Sequence, residues 1–372
     1  MSSLFHSHSP FRIFFVSGTI TLLSVFLVYY FLGWQAAFLT LVLMVIEVTF
    51  SFDNAIINAR VLMTMSPFWQ KMFITIGILI AVFGMRVVFP ILVVMLTSGL
   101  PWGDVINLAL NEPEKYAHEL HAAHTSIASF GGMFLLMLCL HFFFDSSRQV
   151  RWIQRIERPM QKIGSWWMYT LICFAVLVTV TLLPFNAHPT DTFIAGFVGI
   201  ATYLIIHGFT ELFTRQHEKH EKTHGSAYKK AGLAGFSAFM YLEVLDASFS
   251  FDGVIGAFAI TNDVILIAVG LGIGALWVRS LTIFMVRRQV LNAYKYLEHG
   301  AHYTIGLLAA FLLGGLFLKV PEVIAGVFGI VIISASIYSS IKAKKMDDPK
   351  TGALHDAHVE SLPAPKKTTK KR

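Results

Sequence analysis

The chain has 372 residues, of which 55% are hydrophobic and only 14% are charged, and its mean hydropathy is +0.65. A soluble protein of this size needs more charge to cover its surface, so the composition excludes a soluble globular protein and predicts an all-α protein that crosses a bilayer several times. The formal net charge of +7 does not indicate a nucleic-acid partner, because most of the cations lie in loops between apolar segments.

Ten apolar segments, most of them at least the roughly 20 residues that a membrane-spanning helix needs, follow one another along the chain. In order they cover residues 11–31, 33–60, 69–98, 125–145, 166–184, 191–213, 232–260, 262–286, 300–318 and 321–341. We interpret the first as a span rather than a signal peptide, because no small-residue cleavage site follows it. Only Lys319 to Glu322 separate the last two, so we expect nine or ten spans.

The distribution of basic residues predicts the orientation of these spans. Most of the 29 lysines and arginines fall on one side of the predicted membrane, whereas the loops of the other side hold only Lys115 and Lys319. This asymmetry follows the positive-inside rule and predicts that both termini lie in the cytoplasm. We therefore expect an integral protein of a bacterial inner membrane.

One stretch of eight residues occurs twice. Glu47 to Asn54 reads Glu-Val-Thr-Phe-Ser-Phe-Asp-Asn, and Asp246 to Gly253 reads Asp-Ala-Ser-Phe-Ser-Phe-Asp-Gly. Five spans separate the copies, so the copies cross the membrane in opposite directions, which predicts an inverted-topology repeat with a site near mid-membrane. The predicted units are a first half (1–190, with its acidic helix at 33–60), an inverted second half (191–341, with its acidic helix at 232–260) and a basic cytoplasmic tail (342–372) that we expect to be disordered.

The duplicated acids predict an ion site, since a carboxylate inside a span costs roughly 2.5–3.5 kcal/mol on insertion scales and is usually functional. On an ideal helix Glu47, Ser51 and Asn54 share one face, while Asp53 lies about 120° away. The candidate ligands are Glu47, Ser51, Asp53, Asn54, Asp246, Ser250 and Asp252. These oxygen donors suit Mn²⁺, with Mg²⁺ or Ca²⁺ as alternatives, and carboxylates that release protons on metal binding would couple the two ions.

Two arrangements would bring these ligands to one ion. A helix could unwind around Ser-Phe-Asp and expose backbone carbonyls, and Gly253 favours such a break in the second helix. Alternatively, the copies could share the ion, with Glu47 near Asp252 and Asp53 near Asp246. The sequence leaves both arrangements open.

Two arginines lie within spans, Arg86 after the first copy and Arg279 after the second. We expect them to be charge partners of the acids when no metal is bound, although each could instead extend to a membrane interface. Glu243 continues the face of Asp246 by one turn. Like the two arginines, it is a candidate for a residue that surrounds the ligands and interacts with their charge.

The paired motifs resemble the TerC family of integral membrane proteins, which is named for tellurium resistance. The residues that carry the likeness are Glu47, Ser51, Asp53, Asn54, Asp246, Phe249, Asp252, the stretch Ala257 to Asp263, Arg279 and the pair Gly131-Gly132. The resemblance spans about residues 35–315 and implies an inverted-repeat exporter of manganese, with Glu47, Asp53, Asn54, Asp246 and Asp252 binding the ion. The chain departs from that family at Ser250, where alanine is usual, at Gly253, where serine is usual, and in its long loop 99–124.

Two groups of histidines lie in predicted loops. His118, His121 and His124 are external, and His217, His220 and His224 are internal. Solvated helix faces would explain both groups. The alternatives are a low-affinity metal collector outside and a metal sensor inside.

The sequence thus predicts a transporter, not an enzyme, that exports a divalent metal ion, with protons as a possible coupling ion. A second hypothesis is a membrane factor that confers metal or tellurite tolerance, or loads metal into exported proteins, without transporting anything itself. A third is an intramembrane aspartyl protease, which the absence of a Gly-x-Gly-Asp motif disfavours. The oligomeric state is not predicted.

Overall fold

The computed structural model of the protein describes residues 10–221, 232–258, 260–261, 263–318 and 322–346, and among these it leaves some side chains undescribed, including those of Ser250 and Asp252. The helices are α1 (Pro10–Phe50), α2 (Phe52–Thr64), α3 (Pro67–Leu79), a π-helical segment (Ile80–Val88), α4 (Phe89–Ser98), α5 (Trp102–Asn111), α6 (Pro113–Ala122), α7 (His124–Phe144), α8 (Gln154–Ile163), α9 (Trp166–Leu182), α10 (Pro189–Glu221), α11 (Gly232–Phe258), α12 (Val264–Arg287), α13 (Val290–Ala293), α14 (Leu297–Gly314) and α15 (Glu322–Met346). The described residues form no β-strand, which confirms the all-α class.

Six helical stretches are long and apolar enough to cross a membrane: Ile13–Phe50, Pro67–Ser98, His124–Phe144, Pro189–Phe209, Val264–Arg287 and Ile324–Lys344. The bent pair of α8 and α9 would add a seventh if it acts as one span. The prediction of a polytopic helical membrane protein is therefore confirmed. These six or seven stretches are fewer than the nine or ten predicted spans. One reason is that α1 joins two of the predicted spans. Another is that the acids of α11 make this helix less apolar.

The structure explains one boundary of the predicted segments, at Gly33, and places another further along the chain. Gly33 has φ 87° and ψ 177° and kinks α1, at the predicted junction between the first two spans. A side chain is strained in this conformation, which explains why a glycine stands there. At the other end, α15 continues to Met346, so the start of the predicted disordered tail is helical. Residues 347–372 lie outside the described part.

The helices that carry the duplicated motif pack around α12. Helix α1 lies along α12, and both α2 and the π-helical segment also contact it. A separate apolar core surrounds α7, which packs between α10 and α14. Near the C-terminal end of α2, Arg60 forms an ion pair with Glu298 of α14 at 3.4 Å, and Arg148 forms a second ion pair with the same acid at 3.1 Å. The acidic segments are thus packed against several helices of the bundle.

Candidate functional site

The first copy of the motif lies at a bend between two helices. Helix α1 ends at Phe50, α2 begins at Phe52, and Ser51 between them has φ −96° and ψ 15°. Helical hydrogen bonding continues on both sides of the bend, because Ser51 N donates to Glu47 O at 3.0 Å and Ala55 N donates to Ser51 O at 3.1 Å. The first helix is nevertheless interrupted at Ser51, where the backbone leaves the helical conformation, and just beyond it Asn54 N donates to Oδ1 of Asp53 at 2.9 Å.

The second copy lies in an unbroken helix, since α11 runs continuously from Gly232 to Phe258. The expectation that Gly253 favours a break here is wrong. A Cβ atom on Gly253 would lie 3.0 Å from Oε2 of Glu47, so the glycine makes room for the acid of the first copy. Close packing outweighs the low helix propensity of glycine at this position.

Glu47 is 2% exposed and is neutralised by an ion pair with Arg86. It also accepts a hydrogen bond from Ser51 Oγ at 3.2 Å. Arg86 lies on the π-helical segment and donates a second bond to the carbonyl oxygen of Ala81 at 2.5 Å. Segments of π-helix are rare and are frequent at functional sites. The ion pair of the first copy is thus held by two locally irregular helices.

Asp246 is the acid of the second copy, and it accepts three hydrogen bonds. Arg279 donates to Oδ2 at 3.0 Å, and the amides of Asn54 and Asn58 donate to Oδ1 at 2.8 Å each. Both asparagines belong to α2, so the two copies of the motif meet directly. Asn58 is not among the residues predicted from the sequence, although it lies eleven residues after Glu47 and therefore on the same helix face.

Arg279 is anchored from three sides. Besides its bond to Asp246, it donates to the carbonyl oxygen of Gly77 at 3.0 Å and its guanidinium lies 3.6 Å from the ring centre of Phe73. Glu243 approaches the same guanidinium at 3.9 Å. Neither carboxyl oxygen of Glu243 accepts a hydrogen bond among the described residues. Arg86 and Arg279 therefore both contact acids of the motif that precedes them.

A small cavity of about 20 Å³ lies where the copies meet. Its lining residues are Glu47, Ser51, Asn54, Asn58, Ala81, Arg86, Asp246, Ala275, Val278, Arg279 and Thr282. A space of this size holds about one water molecule or one small ion. Asn54 and Asn58 both line the cavity, and their side-chain oxygens are buried and have no hydrogen-bond partner in the described structure.

A larger cavity of about 370 Å³ lies on the other side of Glu47 and Ser51, which line both spaces. Asp53 lines only the larger one, as its predicted position about 120° around the helix suggests. The remaining wall is largely apolar and comes from α11, α14 and α15. The structure therefore distributes the acids of the first copy between two spaces.

Not every predicted ligand can be placed in this arrangement. The side chains of Ser250, Asp252, His217 and His220, and the whole of His224, lie outside the described residues, so the predicted approach of Asp252 to Glu47 stays a prediction. Among the described side chains, no group of three or more His, Cys, Asp and Glu is arranged to hold a metal ion. The outer histidines conform to this: His118 is exposed on α6, with Glu119 3.9 Å away.

The charges that line the small cavity cancel, because Glu47 and Asp246 each face one arginine. A divalent cation fits the oxygen donors present only if an arginine moves away from its carboxylate. The irregular backbone around Arg86 makes this arginine the better candidate, since Arg279 has more partners on neighbouring helices.

Comparison with known proteins identifies a family whose function is described as unknown. A family described as "Protein of unknown function (DUF475)" matches residues 52–347. A search of curated proteins and a search of solved structures each found no match. The matched region contains the second copy, both arginines and α2, whereas Glu47 and Ser51 precede it. The resemblance to the TerC family stays an expectation. The match covers well over half of the chain, and the chain therefore belongs to the DUF475 family.

Proposed function

We propose that this protein exports a divalent metal ion across the membrane, with Mn²⁺ as the preferred substrate and protons moving in exchange. The observation that carries the proposal is the small cavity between the two copies, which is lined by two carboxylates, a hydroxyl and the side chains of two asparagines. Such a set of oxygen donors, without thiol or imidazole, matches the preference of hard divalent cations. The choice of manganese and the outward direction rest on the resemblance to the TerC family.

In this mechanism the arginines are built-in counter-ions. When no metal is bound, Arg86 and Arg279 compensate the charge of Glu47 and Asp246. An arriving metal ion competes with Arg86 for Glu47, and the amide oxygens of Asn54 and Asn58 complete its coordination. Displacement of one arginine by one ion keeps the buried charge nearly balanced, which low-dielectric surroundings require.

Glu243 is the proposed proton carrier. It is 4% exposed, its oxygens have no hydrogen-bond partner among the described residues, and it lies beside Arg279 rather than in the small cavity. A metal ion that binds beside Asp246 would neutralise the charge of this acid, which would leave Arg279 free to stabilise an ionised Glu243. One proton would then leave as one metal ion binds.

Reconstitution of the purified full-length protein in liposomes tests the proposal. A metal-quenched dye inside the vesicles reports Mn²⁺ entry, and a pH dye reports proton movement. We expect Asp246→Asn to reduce the Mn²⁺ flux at least tenfold, because the change keeps the shape but removes one ligand charge. Glu243→Gln should uncouple proton movement from any remaining Mn²⁺ flux.

Asp104→Asn is the matched control, since Asp104 is an exposed carboxylate on α5 and the same change there should leave the flux unaltered. Equal flux in wild type, Asp246→Asn and Asp104→Asn would contradict the proposal. A folded wild-type protein that moves none of Mn²⁺, Mg²⁺ and Ca²⁺ would favour the hypothesis of a tolerance or metal-loading factor. Cells that lack the protein should accumulate manganese if the direction is outward.

A further inference from the structure

The larger cavity has a composition that metal transport does not require. Three phenylalanines, Phe50, Phe52 and Phe249, line it together with small and aliphatic residues of α15. Contacts with such an apolar wall do not stabilise a hydrated divalent ion. A volume of about 370 Å³ lies within the range of roughly 300–1,000 Å³ that is usual for sites of small organic molecules.

Among the described side chains that line this apolar space, Asp53 is the one acid without a cationic partner. Asp53 is 3% exposed, and its carboxylate accepts one described hydrogen bond, from the backbone N of Asn54 at 2.9 Å. No lysine, arginine or histidine among the described side chains forms an ion pair with it. Glu47, by contrast, is compensated by Arg86. A buried carboxylate of this kind is costly unless a positive charge is supplied.

The cavity opens on the exposed side of α15, which is expected to face lipid. Ile330 is 49% exposed and Ser334 is exposed as well, and both line the cavity on α15. Because α15 contains a candidate membrane span, we expect its exposed residues, and with them this mouth, to face the bilayer rather than water. A ligand that reaches Asp53 by this route must itself be soluble in lipid.

We infer that the larger cavity binds a hydrophobic organic cation, such as a quaternary ammonium or phosphonium ion with an apolar body, which enters from the lipid. Asp53 supplies the counter-charge. The rings of Phe50, Phe52 and Phe249 supply cation–π and apolar contacts, the combination by which proteins recognise quaternary cations. Binding at this site needs neither the small cavity nor the displacement of an arginine, and the two cavities share only Glu47 and Ser51 as lining residues.

Binding of radiolabelled tetraphenylphosphonium to the full-length protein in nanodiscs of neutral lipid, without divalent metal, tests the inference. Tetraphenylborate is the matched control ligand, since it has the same shape and the opposite charge. We expect saturable binding of the phosphonium alone, and an affinity at least tenfold lower for Asp53→Asn. Equal binding of the two ions, or an unchanged affinity in Asp53→Asn, would overturn the inference.

A second pair of variants locates the ligand without touching the acid. Ser334→Phe should narrow the mouth and weaken phosphonium binding several-fold. Val331→Phe places the same ring on an exposed position of α15 that does not line the cavity, and should bind like the wild type. Equal affinities in these two variants would overturn the location, even if Asp53→Asn fails to fold. Neither result bears on Mn²⁺ flux, which is measured separately on the same preparations.

Discussion

The two copies of Phe-Ser-Phe-Asp have the same sequence but different surroundings. The first lies at the bend between α1 and α2, and its arginine, Arg86, lies on a π-helical segment. The second lies in the unbroken helix α11, and its arginine, Arg279, lies in the regular helix α12. Asp246 accepts three hydrogen bonds, two of which come from α2, the helix in which the other copy ends. We infer that the second copy is the fixed half of the site and that the first copy is the half able to rearrange.

The largest expected effect is a difference in stability between variants of the two arginines. Arg279→Met would leave Asp246 and Glu243 buried without a cation, and loss of one partner of a buried pair typically costs about 3–5 kcal/mol. Arg86→Met should cost less, because Arg86 has Glu47 as its only described ion-pair partner and bonds otherwise within its own helix. Detergent-induced unfolding of both variants measures the difference. Equal losses of stability would show that the two halves are equally rigid.

A smaller effect is expected from the helix that supports the first copy. A Cβ atom on Gly274 would lie 2.5 Å from Cβ of Glu47, so Gly274→Ala must displace Glu47 from its present position. Overpacking of this kind costs about 1–3 kcal/mol, and we expect Mn²⁺ flux in liposomes to fall together with the free energy of unfolding.

Gly208→Ala is the control for this substitution, because a Cβ atom there meets no atom within 4 Å. It should leave both flux and stability near the wild-type values. Wild-type behaviour of Gly274→Ala would mean that Glu47 shifts freely, and that its position in the first copy is not critical.

The smallest expected effect concerns the bend itself. Ser51→Ala removes the hydrogen bond from Ser51 Oγ to Glu47, and a bond of this kind contributes about 0.5–1.5 kcal/mol. We expect a stability loss in this range and a weaker apparent affinity for Mn²⁺, because Glu47 loses a group that orients it. A loss as large as that of Arg279→Met would contradict the assignment of the first copy as the adaptable half.

The sequence predicted the parts of this arrangement that depend on helix periodicity. The separation of Asp53 from the face of Glu47 follows from the angle per residue, and the same angle would have identified Asn58. The kink at Gly33 was also visible as the junction of two apolar segments. These features are local, so a single stretch of sequence determines them.

Features that depend on neighbouring helices were not predictable. Nothing in Ile80–Val88 distinguishes a π-helix from an α-helix, and Gly253 reads as a weak point because its contact with Glu47 lies about two hundred positions away in the chain. The same limit applies to the contacts of Arg279 with Gly77 and Phe73, which no spacing rule connects. Tertiary packing decided each of these cases.

Glu47 and Ser51 form a partition that is shared by two compartments of very different size and polarity. Any exchange at either position therefore disturbs both compartments at once and cannot assign an effect to one of them. Asp53 and Asn58 each border a single compartment, and they are the positions at which an inorganic ion and an organic one can be told apart genetically.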